Sequence, residues 1–314
     1  MSRGGAAAHP SAPTVAKVRM RFAKRGRARF SSHRDVARAM EWALRRAGVP
    51  VSLSHGFSPH PRLSWLGAAP TGAASEAEFV EIGLTEDLEP AALAREVDAV
   101  LPEGISVLEV VRAGPGSLAD RIDGSVWRIA MPGVDPDRLA EAVAVLEATP
   151  VVEVERMTKN GLRTLDVRAA LVRLTVEAPD PGDRDGVTGA LDDRHPNDAG
   201  SPDDEPGDGR RPHDDAARRA TGEVTDRRTR AARPVCGTLS VVVRHTTPAV
   251  RPDDVVSALR TGAGLEPPVP VTATRTEQGR LGASGELLDP LEEDRATTGR
   301  ESVPGWHAGE DRPV

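Results

Sequence analysis

The chain has 314 residues, enough for two ordinary domains, and a formal net charge of −7 at pH 7. Its single cysteine, Cys236, excludes an internal disulfide and any iron–sulfur cluster held by three or four thiolates of this chain. No apolar run reaches the roughly 18 residues that a membrane span needs, and residues 1–14 lack an apolar signal core, so the cytoplasm is the expected compartment and no membrane partner is expected.

Residues 1–14 are small and polar and are expected to be disordered. A first α+β module follows over 15–113. It opens on a strand at 17–22 in strict alternation, with Val18, Met20 and Phe22 toward a core and Lys17, Arg19 and Arg21 on the other face. The spacing of Val36, Met40, Ala43, Leu44 and Ala47 predicts a helix over 33–47. Ser32 is its N-cap, with Asp35 placed for a capping box, and Gly48 and Pro50 end it. Strands at 51–55, 62–67 and 78–84, a helix at 90–101 and a strand at 105–112 complete the module.

A second module covers 114–178 plus 235–278. It has a strand at 126–131, a helix at 136–148, and strands at 151–157, 162–168 and 170–177, with Asn160-Gly161 as a hairpin turn signal. Residues 179–234 are rich in Asp, Pro, Gly and Arg and poor in large apolar residues, the signature of a disordered insertion. Beyond it come a strand at 237–244, a short helix at 252–261 and a strand at 269–275. The segments 170–177 and 237–244 are expected to pair as a hairpin whose turn has been expanded, because loop closure grows only logarithmically costlier with length. Residues 279–314 resemble the insertion and are expected to be a disordered tail. The sum is an α+β fold of tandem ferredoxin-like βαββαβ modules.

Arginine outnumbers lysine by 38 to 3, a ratio that a GC-rich genome produces by itself. Position is more informative than ratio. Residues 17–66 hold 12 basic and 2 acidic side chains, whereas 67–178 hold 10 and 20. Genome composition does not concentrate arginine and deplete acids in the same place. The stretch from Lys24 to Asp35 runs a basic strand through a basic, glycine-containing turn into a helix N-terminus, where free N–H groups favour an anion. Arg27, Arg29 and Arg34 could surround a phosphate with fork-shaped donors, and Arg34, Arg38 and Arg45 share the polar side of the helix.

A second loop, His55-Gly56-Phe57-Ser58-Pro59 continuing through His60-Pro61-Arg62, is expected beside the first. The expected phosphate- or nucleic-acid-binding set is therefore Arg19, Arg21, Lys24, Arg27, Arg29, His33, Arg34, Arg38 and Arg62. Phe30 and Trp65 are expected in the core rather than as stacking platforms. His33, His55 and His60 match no compact metal motif, so no metal and no cofactor is expected. His33 is the candidate general base if the chain cleaves RNA, and Cys236 reads as a plain buried thiol.

These residues resemble the radical-SAM-associated (radical-SAM-linked) domain family of unknown function. The resemblance rests on Val18-Arg19-Met20-Arg21-Phe22, Lys24-Arg25-Gly26, Arg29-Phe30-Ser31-Ser32-His33-Arg34-Asp35, Arg45-Arg46-Ala47-Gly48 and Ser54-His55-Gly56-Phe57-Ser58-Pro59-His60-Pro61-Arg62-Leu63-Ser64. It continues through 66–72 and 75–78 and again at Arg251-Pro252-Asp253-Asp254. Lacking the cysteine motif of a radical SAM enzyme, the chain looks like the family's standalone form. That form implies a radical SAM protein or an E/G-type ribonuclease as partner, and carries no catalytic residue to transfer. The 179–234 insertion and the long tail depart from the pattern. Three functions follow as expectations: a non-catalytic accessory that binds RNA (tRNA or another structured RNA) or phosphate; a metal-independent endoribonuclease using His33; and a protein–protein adaptor.

Overall fold

The computed structural model describes residues 12–55, 59–158, 161–178 and 235–298. The chain order is β1 (Ala16–Lys24), a 3-10 turn (Gly26–Phe30), α1 (His33–Arg46), β2 (Leu63–Leu66), β3 (Ala74–Leu84), α2 (Pro90–Asp98) and β4 (Ile105–Arg112). Then come β5 (Gly124–Pro132), α3 (Pro136–Ala148), β6 (Glu153–Thr158), β7 (Gly161–Asp166), β8 (Leu171–Glu177), β9 (Cys236–Arg244), α4 (Pro252–Ala263), β10 (Thr272–Leu281), β11 (Leu287–Leu288) and α5 (Glu292–Thr298). None of the described helices is long and apolar enough to cross a membrane.

One large sheet runs in the order β4-β1-β3-β10-β5-β9-β8, with β2 on β3 and β11 on β10. Every pairing in it is antiparallel except β3 with β10. The protein is thus a mixed α/β structure on a mostly antiparallel sheet. The segments 170–177 and 237–244 do pair antiparallel, as β8 and β9. β6 and β7 pair only with each other, with Thr158 opposite Gly161. The insertion at 179–234 lies outside the described residues.

On the front face Val18, Met20 and Phe22 of β1 meet Val36, Met40, Ala43 and Leu44 of α1 and Leu93 and Val97 of α2. A second core joins Trp127, Ile129 and Met131 of β5 to α3 and α4. The two halves meet where β10 runs parallel to β3, pairing only Thr274 with Ala74 and Arg275 with Ser75. Arg275 is buried there. It donates to Gly67 O at 2.5 Å, pairs with Glu78 and lies 5.4 Å over the Trp127 ring.

Three expectations change. The strand at 51–55 reduces to isolated bridges, Val51 with Leu84 and Leu53 with Pro61, because Pro50, Pro59 and Pro61 withhold the N–H groups that a ladder needs. The last strand starts later, at Thr272, beyond Pro267, Pro268 and Pro270, and extends to Leu281. Most consequentially, 279–298 is not a disordered tail. It finishes β10 and forms β11 and α5, which cover the back of the first half. Leu291 joins Ala77, Phe79, Val111 and Leu118 in a third core. Asp294, with no exposed surface, accepts from Arg19 at 2.7 Å, Arg121 at 3.1 Å and the Gly114 N–H at 2.9 Å.

Candidate nucleic-acid interface

The 3-10 turn is seated by its backbone. The Arg25 N–H donates to Gly104 O at 2.7 Å and the Gly72 N–H donates to Arg29 O at 2.8 Å. Gly104 adopts φ +85, and a Cβ there would sit 2.7 Å from Arg25 O, so only glycine lets the turn approach this closely. Arg27 is exposed. The Arg29 guanidinium stacks over the Phe30 ring, 4.6 Å from its centroid, and its buried Nε has no partner among the described residues. Phe30, expected in the core, is 60% exposed, since the turn directs it outward past Ala28, the turn's one buried residue. Trp65 is half-buried, edge-on to Phe22 and to His33. His33 itself is exposed and makes no hydrogen bond among the described residues.

The capping box forms: Ser32 Oγ accepts from the Asp35 N–H, and Asp35 accepts from the Ser32 N–H. The Ser32 hydroxyl, donating to the Asp35 carboxylate at 2.6 Å, and then the Ser32 N–H hold that carboxyl below the usual carboxylate range. The anion expected at this helix start is therefore supplied by the chain itself.

The flank of α1 is basic and aromatic. Arg34, Arg38, Trp42, Arg45 and Arg46 are all exposed on the side of α1 opposite its buried stripe. Trp42, 49% exposed, follows Arg38 by four residues and precedes Arg45 by three and Arg46 by four, the spacings that make neighbours on a helix. Arg46 lies 5.4 Å over the Trp42 ring. Trp42 and Arg46 are absent from the residue set read from the sequence, although a signal existed: a tryptophan falling off the apolar stripe of a strongly amphipathic helix.

The remaining expected residues do not join this surface. Arg19 is 1% exposed, locked to Asp294, Glu81 and Gly116 O. As a buried ion-pair partner it is unavailable to a phosphate. Lys24 is also buried, its Nζ 3.4 Å from the carbonyls of Ala69 and Pro70, and burial pushes its pKa down. Arg21 lies on the back of β1, where its Nε donates to Glu76 O at 2.8 Å.

Arg62 is exposed at the other end of the sheet. Lys24, which leads into the 3-10 turn, pairs with Ser75, whereas the base of the 54–62 loop contacts Gly83 and Leu84, nine residues further along β3. That is roughly 30 Å of strand, so the two loops are rooted at opposite ends rather than side by side. His55 and Pro59 are exposed, and Gly56, Phe57 and Ser58 lie outside the described residues.

These features define an α/β protein built on one large antiparallel-dominated sheet, with a helix face that gathers arginines around one exposed tryptophan. Its relationship is specific: the chain belongs to the family described as uncharacterized protein conserved in bacteria, DUF2344, whose pattern matches residues 17–193. The match takes in β1 to β8 and includes both loops. No curated protein matches the chain.

Proposed function

We propose that the protein is a non-catalytic RNA-binding accessory of RNA processing or modification, acting in the cytoplasm, and that the outer face of α1 with the 26–30 turn holds the RNA. One observation carries this reading: two exposed rings, Phe30 and Trp42, each lie under an arginine on a surface where cations predominate. Exposed aromatic rings are a cost to a free surface and a platform for bases, while arginines beside them meet the phosphates.

The test is RNA affinity as a function of salt. Changing Arg34, Arg38 and Arg45 together to alanine should reduce the slope of log K against log salt by about 2. Trp42→Ala should cost about 1–3 kcal/mol at any salt. Binding that neither change alters would overturn the reading.

The strand order within each half supports two ferredoxin-like modules: β4-β1-β3-β2, then β10-β5-β9-β8, each the fourth, first, third and second strand of a strand–helix–hairpin–helix–strand unit once β6 and β7 are set aside. The resemblance to the radical-SAM-associated domain supports a radical SAM protein or an E/G-type ribonuclease as the enzyme served. Co-purification of such an enzyme with the full chain tests that extension.

A further inference from the structure

We propose that a second site, on the back of the first half, binds the phosphate of a phosphomonoester. A cleft of about 370 Å³ opens between the start of β1 and the segment that leads into β2, lined by Thr14, Lys17, Ser54, Arg62, Ser64 and Glu81. It is separate from the α1 face, because Lys17, Glu81 and Ser64 project from the side of the sheet opposite Val18 and Met20.

The charges there do not cancel. Among the described residues Glu81 is the only carboxylate lining the cleft, and it already receives Lys17 Nζ at 2.9 Å and Arg19 Nε at 3.1 Å. Arg19 also pairs with Asp294, a carboxylate it shares with Arg121. Arg62 has no carboxylate among the described residues; its one side-chain hydrogen bond goes to Thr14 Oγ1 at 3.3 Å. The Ser64 hydroxyl is exposed and makes no hydrogen bond among the described residues. An unmatched guanidinium, an ammonium and a free hydroxyl, supplied by three separate positions, thus surround one space.

The backbone is fitted to keep that space open. A Cβ on Gly83 would come within 2.5 Å of Ser52 Oγ and 3.3 Å of Thr14 Cγ2, so a side chain there would push on the two residues that adjoin Arg62. The Arg62 backbone is held on both sides, its N–H donating to Ser52 O at 2.8 Å and its carbonyl accepting from the Gly83 N–H at 3.0 Å. Donors on several sides of a small cleft suit a terminal phosphate, whose three unshared oxygens accept from several directions, better than a passing phosphodiester with two. A nucleotide and the 5′-phosphorylated end of a polynucleotide both present this group.

The test is calorimetric titration of the full chain with AMP, adenosine, and a short oligoribonucleotide with and without its 5′-phosphate. AMP should bind and adenosine should not. Arg62→Gln should weaken AMP by about tenfold or more, the worth of a charge-assisted hydrogen bond, at an unchanged unfolding midpoint. Arg62→Lys should recover part of the loss. The oligonucleotide binding more tightly than AMP only when 5′-phosphorylated assigns the ligand to a polynucleotide end; equal affinities assign it to a nucleotide. The triple alanine variant of Arg34, Arg38 and Arg45 should leave AMP binding unchanged, which separates this site from the RNA face. Adenosine binding as well as AMP, or Arg62→Gln matching the unaltered chain, would overturn the proposal.

Discussion

Asp294 carries two arginines on one carboxylate in a place that water does not reach. Arg19 and Arg121 both donate to it, and without it, among the described carboxylates, Arg19 keeps only Glu81 and Arg121 only the exposed Glu293. Asp294→Ala should therefore destabilise the protein by about 3–5 kcal/mol, the range for stranding one partner of a buried ion pair, as read by urea denaturation. Loss of less than about 1 kcal/mol would mean that Glu81 by itself holds the Arg19 charge. The sequence shows Arg19 on the polar side of an alternating strand but not what covers that side, because its carboxylate partner lies 275 residues away.

Lys24 offers a pH test. Burial lowers its pKa below the ordinary 10.5; Glu78 opposes the shift and Arg275 adds to it. Because the folded state holds the proton less tightly than the unfolded chain, the burial cost is present in full below the folded pKa. It is relieved as pH rises from that value toward 10.5. The stability of Lys24→Met relative to the unaltered chain should thus be most favourable near neutral pH and decline through the alkaline range. A difference independent of pH would show that Lys24 titrates as an exposed lysine does.

Elements with local signatures are legible in the sequence, and elements held by distant partners are not. α3 begins and ends where its pattern places it, over Pro136–Ala148, because Asp135 caps it, proline opens it and Leu139, Val143 and Leu146 mark its buried side. α1 is equally local: its cap, stripe and outer face all lie within 32–47, so even the unread Trp42 was available from helical spacing. Ser32→Ala should cost about 1 kcal/mol through the lost cap, measured by thermal or denaturant unfolding, and should leave RNA affinity nearly unchanged if the cap only closes the helix. β11 and α5 have no such signature. β11 is only two leucines long and α5 is polar and acidic; α5 is placed by Leu291, Asp294 and Arg295, the last gripped by Glu109 and Asp289. Composition reads such a segment as disorder, since three anchoring residues in twenty do not alter the average.

At the scale of the whole molecule, the two halves repeat a connectivity but do not close independently. The first half needs β10 beside β3, Glu78 needs Arg275, and the sheet face bearing Ala77, Phe79 and Val111 needs Leu118 and Leu291. All but Leu118 of these partners come from beyond residue 270. A chain of residues 12–113 would expose that apolar face, leave Arg19 to Glu81 alone and take Arg275 from Glu78. Buried apolar area is the main favourable term in so small a unit, and two buried charges that have each lost an ion-pair partner weigh against it. The fragment should show no cooperative unfolding transition in urea, whereas the full chain should show one. Supplying 114–121 with it, which restores Leu118 but not β10 or α5, should not rescue the transition. A fragment that unfolds cooperatively at the midpoint of the full chain would mean that the first half closes its own core, and that the segment from 272 to 298 decorates the sheet rather than completes it.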